Sequence, residues 1–130
     1  MSLPSPSATA LALRALRGAL AAYSYRYGSE VQLHDRLGEV LTAAGVSYQR
    51  EFVLDAKNRA DFWIDGVVLE VKVDGSLPEA LRQIGRYIGL DQVNGVLLAS
   101  TKPWARTPLR VKPRFDGKPF DMVYLRRQSL

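Results

Sequence analysis

Asp61, Glu70 and Lys72 are the residues whose types and spacing suggest chemistry. They lie in RADFWIDGVVLEVKV (59–73), two β-rich runs around Asp65-Gly66, which is the strongest short hairpin signal a sequence offers. A two-residue loop there makes Ile64 and Val67 opposite partners, so Trp63 faces Val68, Phe62 faces Leu69, Asp61 faces Glu70 and Arg59 faces Lys72. Alternation then puts Phe62, Ile64, Val67, Leu69, Val71 and Val73 on one apolar side and Asp61, Glu70 and Lys72 on the other. Two carboxylates with Cβ atoms about 5 Å apart destabilise a hairpin unless something positive sits between them. Lys72 neutralises one charge, and the pair also suits a divalent, oxygen-binding cation held with water. A hard cation beside a lysine is chemistry for phosphodiesters: the metal polarises the phosphoryl oxygen while the lysine orients water and offsets charge. The competing reading is a surface strand with solvated charges.

The elements that must position these residues follow from periodicity. After a loose leader at residues 1–7, Ser7 caps a helix over 8–27 whose apolar stripe includes Leu11, Leu13, Ala15 and Leu16. Tyr23, Tyr25 and Tyr27 end it before Gly28, as packing aromatics or as base-stacking ones. Ser29 starts a second helix to Ala44 with Val31, Leu33, Leu37, Val40 and Leu41 on its apolar face. A strand is expected over 46–54, the hairpin over 59–73, a third helix over 77–90, a strand over 95–100 and a closing strand over 122–126. The order describes one α/β layer system.

Composition narrows the classes. The 130 residues, 47% hydrophobic and 24% charged, suit a single globular domain. Cysteine is absent and His34 is the only histidine, which excludes thiol nucleophiles, disulfides and zinc sites built on cysteine or on two histidines. The same composition fits a reducing compartment and a cytoplasmic location, the host cytoplasm if the chain is phage-encoded. No window nears the roughly 18 uninterrupted apolar residues of a membrane span. The first 29 residues hold three arginines and no acid, which is also the composition of a transit peptide. The net charge of +5 is uneven: residues 1–99 carry −1 and residues 100–130 carry +6. A basic segment of that kind suits a polyanion through phosphate contacts, or is a solvated basic surface.

Asp61 followed by Glu70-Val71-Lys72 on consecutive strands resembles the signature of the PD-(D/E)XK nuclease superfamily, although Ala60 stands where the family name has proline. The superfamily's restriction-endonuclease-like core runs αβββαβ, the order expected for residues 29–100. Gln83-Ile84-Gly85-Arg86-Tyr87 is similar to the Q-x-x-x-Y motif of the RecB-like subgroup, and a spacing of four puts Gln83 and Tyr87 on one helical face. Glu30, near the start of the first core helix, resembles the glutamate that many members add to the metal site, with His34 and Glu39 as rivals. The resemblance implies an α/β fold with a mixed central sheet flanked by helices, preceded here by an extra N-terminal helix (1–28) and followed by a basic loop and closing strand (101–130). It implies a Mg2+- or Mn2+-dependent nuclease in which Asp61, Glu70, the Val71 carbonyl and Glu30 hold the metal. Lys72 would serve the nucleophilic water, and Gln83 and Tyr87 would contact substrate or support the lysine.

Arg82 and Arg86 on the motif helix, and Lys102, Trp104, Arg106, Arg110, Lys112 and Arg114 in the proline-rich stretch, are the candidate contacts to nucleic acid. Trp104 serves equally as a core residue. The expected partner is DNA, as duplex, single strand or branched structure, in repair, recombination or phage DNA processing. Without an evident sequence-reading domain, end-directed or structure-selective cutting is expected. Exonuclease, endonuclease and junction resolvase stay open, as does DNA against RNA. The first helix offers either a homodimer contact or a cover for its own sheet. A module of the same fold that binds nucleic acid without cutting it is the main alternative, and a protein-interaction domain is another.

Overall fold

The computed structural model describes residues 5–109, 115 and 117–129. In chain order the elements are α1 (Pro6–Ala21), β1 (Ser24–Tyr25), α2 (Glu30–Ala43), β2 (Gln49–Val53), β3 (Arg59–Ile64) and β4 (Val67–Lys72). They continue with α3 (Leu77–Ile88), β5 (Gly95–Ser100), a short 3-10 turn at Pro103–Ala105, β6 (Phe120–Tyr124) and β7 (Arg126–Arg127). Arg110, Lys112 and Arg114 lie outside the described residues.

The turn between β3 and β4 sets the register. Asp65 has φ 45° and Gly66 φ 88°, the left-handed pair that a two-residue hairpin turn demands. Ile64 therefore lies opposite Val67, Trp63 opposite Val68 and Phe62 opposite Leu69, as the turn arithmetic predicts. The five-stranded sheet has the order β2-β3-β4-β5-β6, antiparallel from β2 to β4 and parallel from β4 to β6. It is a mixed sheet flanked by helices.

Helices cover both faces. α1 and α2 bury Leu13, Leu16, Leu20, Leu33, Leu37 and Leu41 against Phe62, Leu69, Val71 and Leu97. α3 buries Ala80, Ile84 and Ile88 against Val68, Val96 and Leu98 on the other face. The stretch VVLEV is hence buried on both sides, as expected of a central strand in a two-layer cover. The charged side of the hairpin is not a surface strand, because α3 lies over it.

Several boundaries differ from expectation, among them the strand expected over 46–54, which runs Gln49–Val53. α1 begins at Pro6 with Ser5 as its cap, proline being pre-organised for the first helical position, and it stops at Ala21 rather than Tyr27. The alternating tyrosines follow strand period instead. Tyr25 and Tyr27 are buried, Ser24-Tyr25 pairs in parallel with Arg126-Arg127, and the Tyr25 hydroxyl donates to the Leu20 carbonyl at 2.6 Å, satisfying an end-of-helix acceptor. The closing strand starts two residues early, at Phe120. Ser29 and Ser76 cap α2 and α3 through their hydroxyls. Among the described residues no helix is long and apolar enough to cross a membrane.

Because Gly66 holds a left-handed φ and a Cβ there would collide with the Asn94 amide, Gly66→Ala is expected to cost about 1–2 kcal/mol. A urea titration checks this through a lower midpoint at unchanged slope.

Candidate active site

The hairpin ladder runs regularly only as far as Phe62 and Leu69. Below that point β3 turns over: Phe62 packs into the core under α2, whereas Ala60 packs into the core under α3. Strict alternation would have kept them on one face. On the neighbouring strand Glu51 has φ 50°, between the pairs Arg50–Phe62 and Phe52–Ala60, so β2 and β3 turn together. Phe52 consequently stacks on Trp63 with centroids 4.9 Å apart. Backbone groups beside the twist lose their regular partners, and two carboxylates replace them. The Val71 N–H donates to Asp61 Oδ2 at 2.7 Å, and the Asp61 N–H donates to Glu70 Oε1 at 3.3 Å. Val71, expected to offer a carbonyl to a metal, engages Asp61 through its N–H.

Glu70 is only 2% exposed. Its other oxygen, Oε2, accepts from Gln83 Nε2 at 2.6 Å and lies 2.9 Å from the Tyr87 hydroxyl. Gln83 Nε2 also donates to Tyr87 Oη at 2.7 Å, and that hydroxyl has the Arg59 carbonyl at 3.0 Å as a second acceptor for its one proton. The pair four apart on α3 thus clamps one carboxylate. Lys72 Nζ stands 3.9 Å from Glu70 Oε2, and its side chain keeps 28% exposure. Ser100, fully buried at the end of β5, donates to the Lys72 carbonyl at 2.6 Å and fixes the backbone that carries the ammonium.

Burial pushes the Glu70 carboxyl up, and the negative charge of Asp61 and a hydrogen bond with it push it further; Tyr87 and Lys72 pull it partly back, leaving it at about 8. The shift favours the protonated form near neutral pH when no cation is present. The Tyr87 hydroxyl is pushed up chiefly by burial and then by the Glu70 charge.

Glu30, at the start of α2, is 56% exposed, and its contact is His34 Nε2 at 3.9 Å. No hydrogen bond or ion pair joins it to Asp61, Glu70 or Lys72 among the described residues. The His34 ring lies 5.7 Å from the Phe62 ring, and its Nε2 is buried without a hydrogen-bond partner. Glu39 pairs with Arg36 at 2.6 Å on the surface. Among the described residues no group of three or more histidine and acidic side chains forms a metal cluster. What the chain offers is two adjoining carboxylates, the number through which Mg2+ is commonly held while it keeps several waters. Lys72, 3.9 Å from Glu70 Oε2, is the one cation paired with these carboxylates among the described residues, which leaves a second positive charge to be accommodated there. The residues present therefore fit a small hard cation on Asp61 and Glu70.

Arg82 and Arg86 are exposed on α3 beside Gln83. Lys102 follows Ser100 and donates its N–H to that hydroxyl at 3.0 Å. Trp104 packs against the α3 core and donates its indole N–H to the Gly75 carbonyl at 3.2 Å, so its ring is a packing element. Arg106 stacks on Tyr124 with its guanidinium 5.0 Å from the ring centre. Sequence reasoning missed Ser100, whose signal is one polar residue closing the apolar run GVLLAS, and Lys118, which caps α3 through the Ile88 and Leu90 carbonyls at 2.8 and 3.0 Å. A scan against protein-family models, a search of curated proteins and a search of solved structures each gave no match to this chain.

A carboxyl whose pKa is raised on folding binds more protons folded than unfolded between its two values, so its stabilising contribution is lost as pH rises. The metal-free protein should accordingly lose stability between about 4.5 and about 8. Urea denaturation at several pH values in chelator checks this, with Glu70→Gln expected to flatten the dependence in that window.

Proposed function

We propose that this chain is a metal-dependent nuclease that hydrolyses phosphodiester bonds in DNA. The observation that carries the reading is the buried Glu70 carboxyl, held by Gln83 and Tyr87 and adjoining the half-buried Asp61, with the partly open Lys72 ammonium beside it. Folding alone gives no reason for such a pair, since Asn or Gln would make comparable hydrogen bonds without burying like charges. Perturbed carboxylates beside a cationic side chain mark functional sites. Mg2+ or Mn2+ on Asp61 and Glu70 supplies Lewis acidity toward a phosphoryl oxygen. Lys72 donates a hydrogen bond to the attacking water and offsets negative charge as the phosphorus centre becomes crowded. Gln83 and Tyr87 hold the Glu70 carboxylate in place, the supporting role that outer partners play at metal sites. The specific fold implied is the restriction-endonuclease-like one, with α2, β2, β3, β4, α3 and β5 as its αβββαβ core.

A second reading, a nucleic-acid-binding module without catalysis, draws on one observation: Asp61 Oδ2 is already engaged by the Val71 N–H. An assay on linear duplex, single strand, flap and four-way junction, with Mg2+, with Mn2+ and with chelator, separates the two. Metal-dependent cutting is expected, falling by about 100-fold or more in Asp61→Asn and in Lys72→Ala. Cutting by both variants at the wild-type rate, or cutting that survives chelation, contradicts the reading. Tyr87→Phe is expected to raise the Mg2+ concentration needed for half-maximal rate by roughly 10- to 100-fold, which a metal titration of the rate reads directly.

A further inference from the structure

The free edge of β6 carries a second concave feature that the carboxylate site does not use. Among the described residues a cavity of about 420 Å³ opens there, with Arg17, Arg106 and Arg126 around it, Met122 and Tyr124 in its wall and Asp121 as its one acidic residue. Asp121 is the partner of Arg17, at 3.4 Å, and the Arg17 side chain remains 49% exposed. The Arg106 guanidinium lies over Tyr124, 5.0 Å from the ring centre, and also donates to its hydroxyl at 3.1 Å, forming a cationic and aromatic platform. Three guanidiniums against one carboxylate, over an apolar and aromatic wall, describe a site for an anion with a flat hydrophobic part.

The sheet fixes where this cavity lies relative to the carboxylates. Lys72 is level with Ser100, and Ser100 is level with Tyr124. Parallel neighbours at one level point to the same face, so Tyr124 and Lys72 share a face two strands apart. That separation is about 10 Å, or roughly three stacked nucleotides at the 3.4 Å rise of a strand. Glu70, Leu98 and Met122 make the adjoining row.

We propose that this edge cavity binds an unpaired segment of a nucleic-acid strand, with a base on the Arg106–Tyr124 platform and neighbouring phosphates on Arg17 and Arg126. The inference rests on the nuclease reading for its substrate class and deepens it: the protein engages a strand with a single-stranded portion about three nucleotides from the bond at Lys72. An unpaired base has an open face for stacking, whereas a duplex keeps its base faces stacked.

The test is fluorescence anisotropy in chelator, with all proteins in the Asp61→Asn background, comparing a blunt duplex with the same duplex bearing an overhang of about five nucleotides on either end polarity. The overhang should strengthen binding by about tenfold. The Arg17→Gln/Arg126→Gln pair should abolish that gain and reduce the salt slope by about 1.4, the value for two phosphate contacts on a single strand. Tyr124→Leu should remove most of the gain, and Arg14→Gln, an exposed arginine outside the cavity, should preserve it. The proposal is overturned if the overhang brings no gain, or if the gain survives both cavity variants. Those results leave the nuclease reading standing wherever the unmodified protein cuts with Mg2+. An overhang gain that depends on the cavity, in a chain that cuts nothing, upholds the strand site and refutes the catalytic reading instead.

Discussion

A buried carboxyl, Glu70, set against the half-buried carboxylate of Asp61 is the constraint on which the site and much of the fold depend. Moving an ionised carboxylate out of water is costly, and a second beside it adds repulsion. The chain offsets that cost locally. Asp61 receives the Val71 N–H, Glu70 receives the Asp61 N–H, and the amide and hydroxyl of Gln83 and Tyr87 close on the remaining Glu70 oxygen. Each carboxylate thereby substitutes for a ladder bond that the twist in β3 removes, so the side chains of the candidate site also hold the lower hairpin together. α3 must lie where it does, because its polar face meets Glu70 while Ile84 and Ile88 fill the core beneath it.

From this arrangement follows a division of labour across the sheet. The face under α1 and α2 is apolar and carries most of the core leucines. The face under α3 mixes apolar packing with the polar cluster at the ends of β3 and β4, where Lys72 reaches outward. The polar cluster is held by the central strands β4 and β5. The tightly paired Ser100 and Lys72 backbone limits the motion of the ammonium.

Much of this was legible in the chain. Asp65-Gly66 fixes a two-residue turn and the turn fixes the register as far as Phe62 and Leu69; the expected Asp61–Glu70 and Arg59–Lys72 ladder pairs do not form, and residues 61 and 70 meet beyond it through the Glu70 carboxylate and the Asp61 N–H. The Gln83 and Tyr87 spacing places both on one side of α3 without reference to their partners. Other features were not legible for physical reasons. The reversal of β3 at Asp61 comes from a tertiary twist shared with Glu51, and alternation counting assumes that no such twist exists. Tyr25 leaves its helix because it pairs with Arg127, a residue about a hundred positions away. Trp104 sits in a basic stretch that resembles a nucleic-acid contact, yet the Gly75 carbonyl and the α3 core claim its ring. Glu30 matches the position of a third acid by order along the chain, but its contact is His34.

We propose that a divalent cation bound at Asp61 and Glu70 takes the place of the proton that the raised Glu70 carboxyl favours. Calorimetric titration of the protein with Mn2+ at pH 7, in two buffers of different ionisation heat, counts the protons displaced on binding. With the Glu70 carboxyl at about 8, release of close to one proton per ion is expected, and Glu70→Gln should abolish that release. Ion binding with no proton release, or equal release by the Glu70→Gln variant, would contradict it.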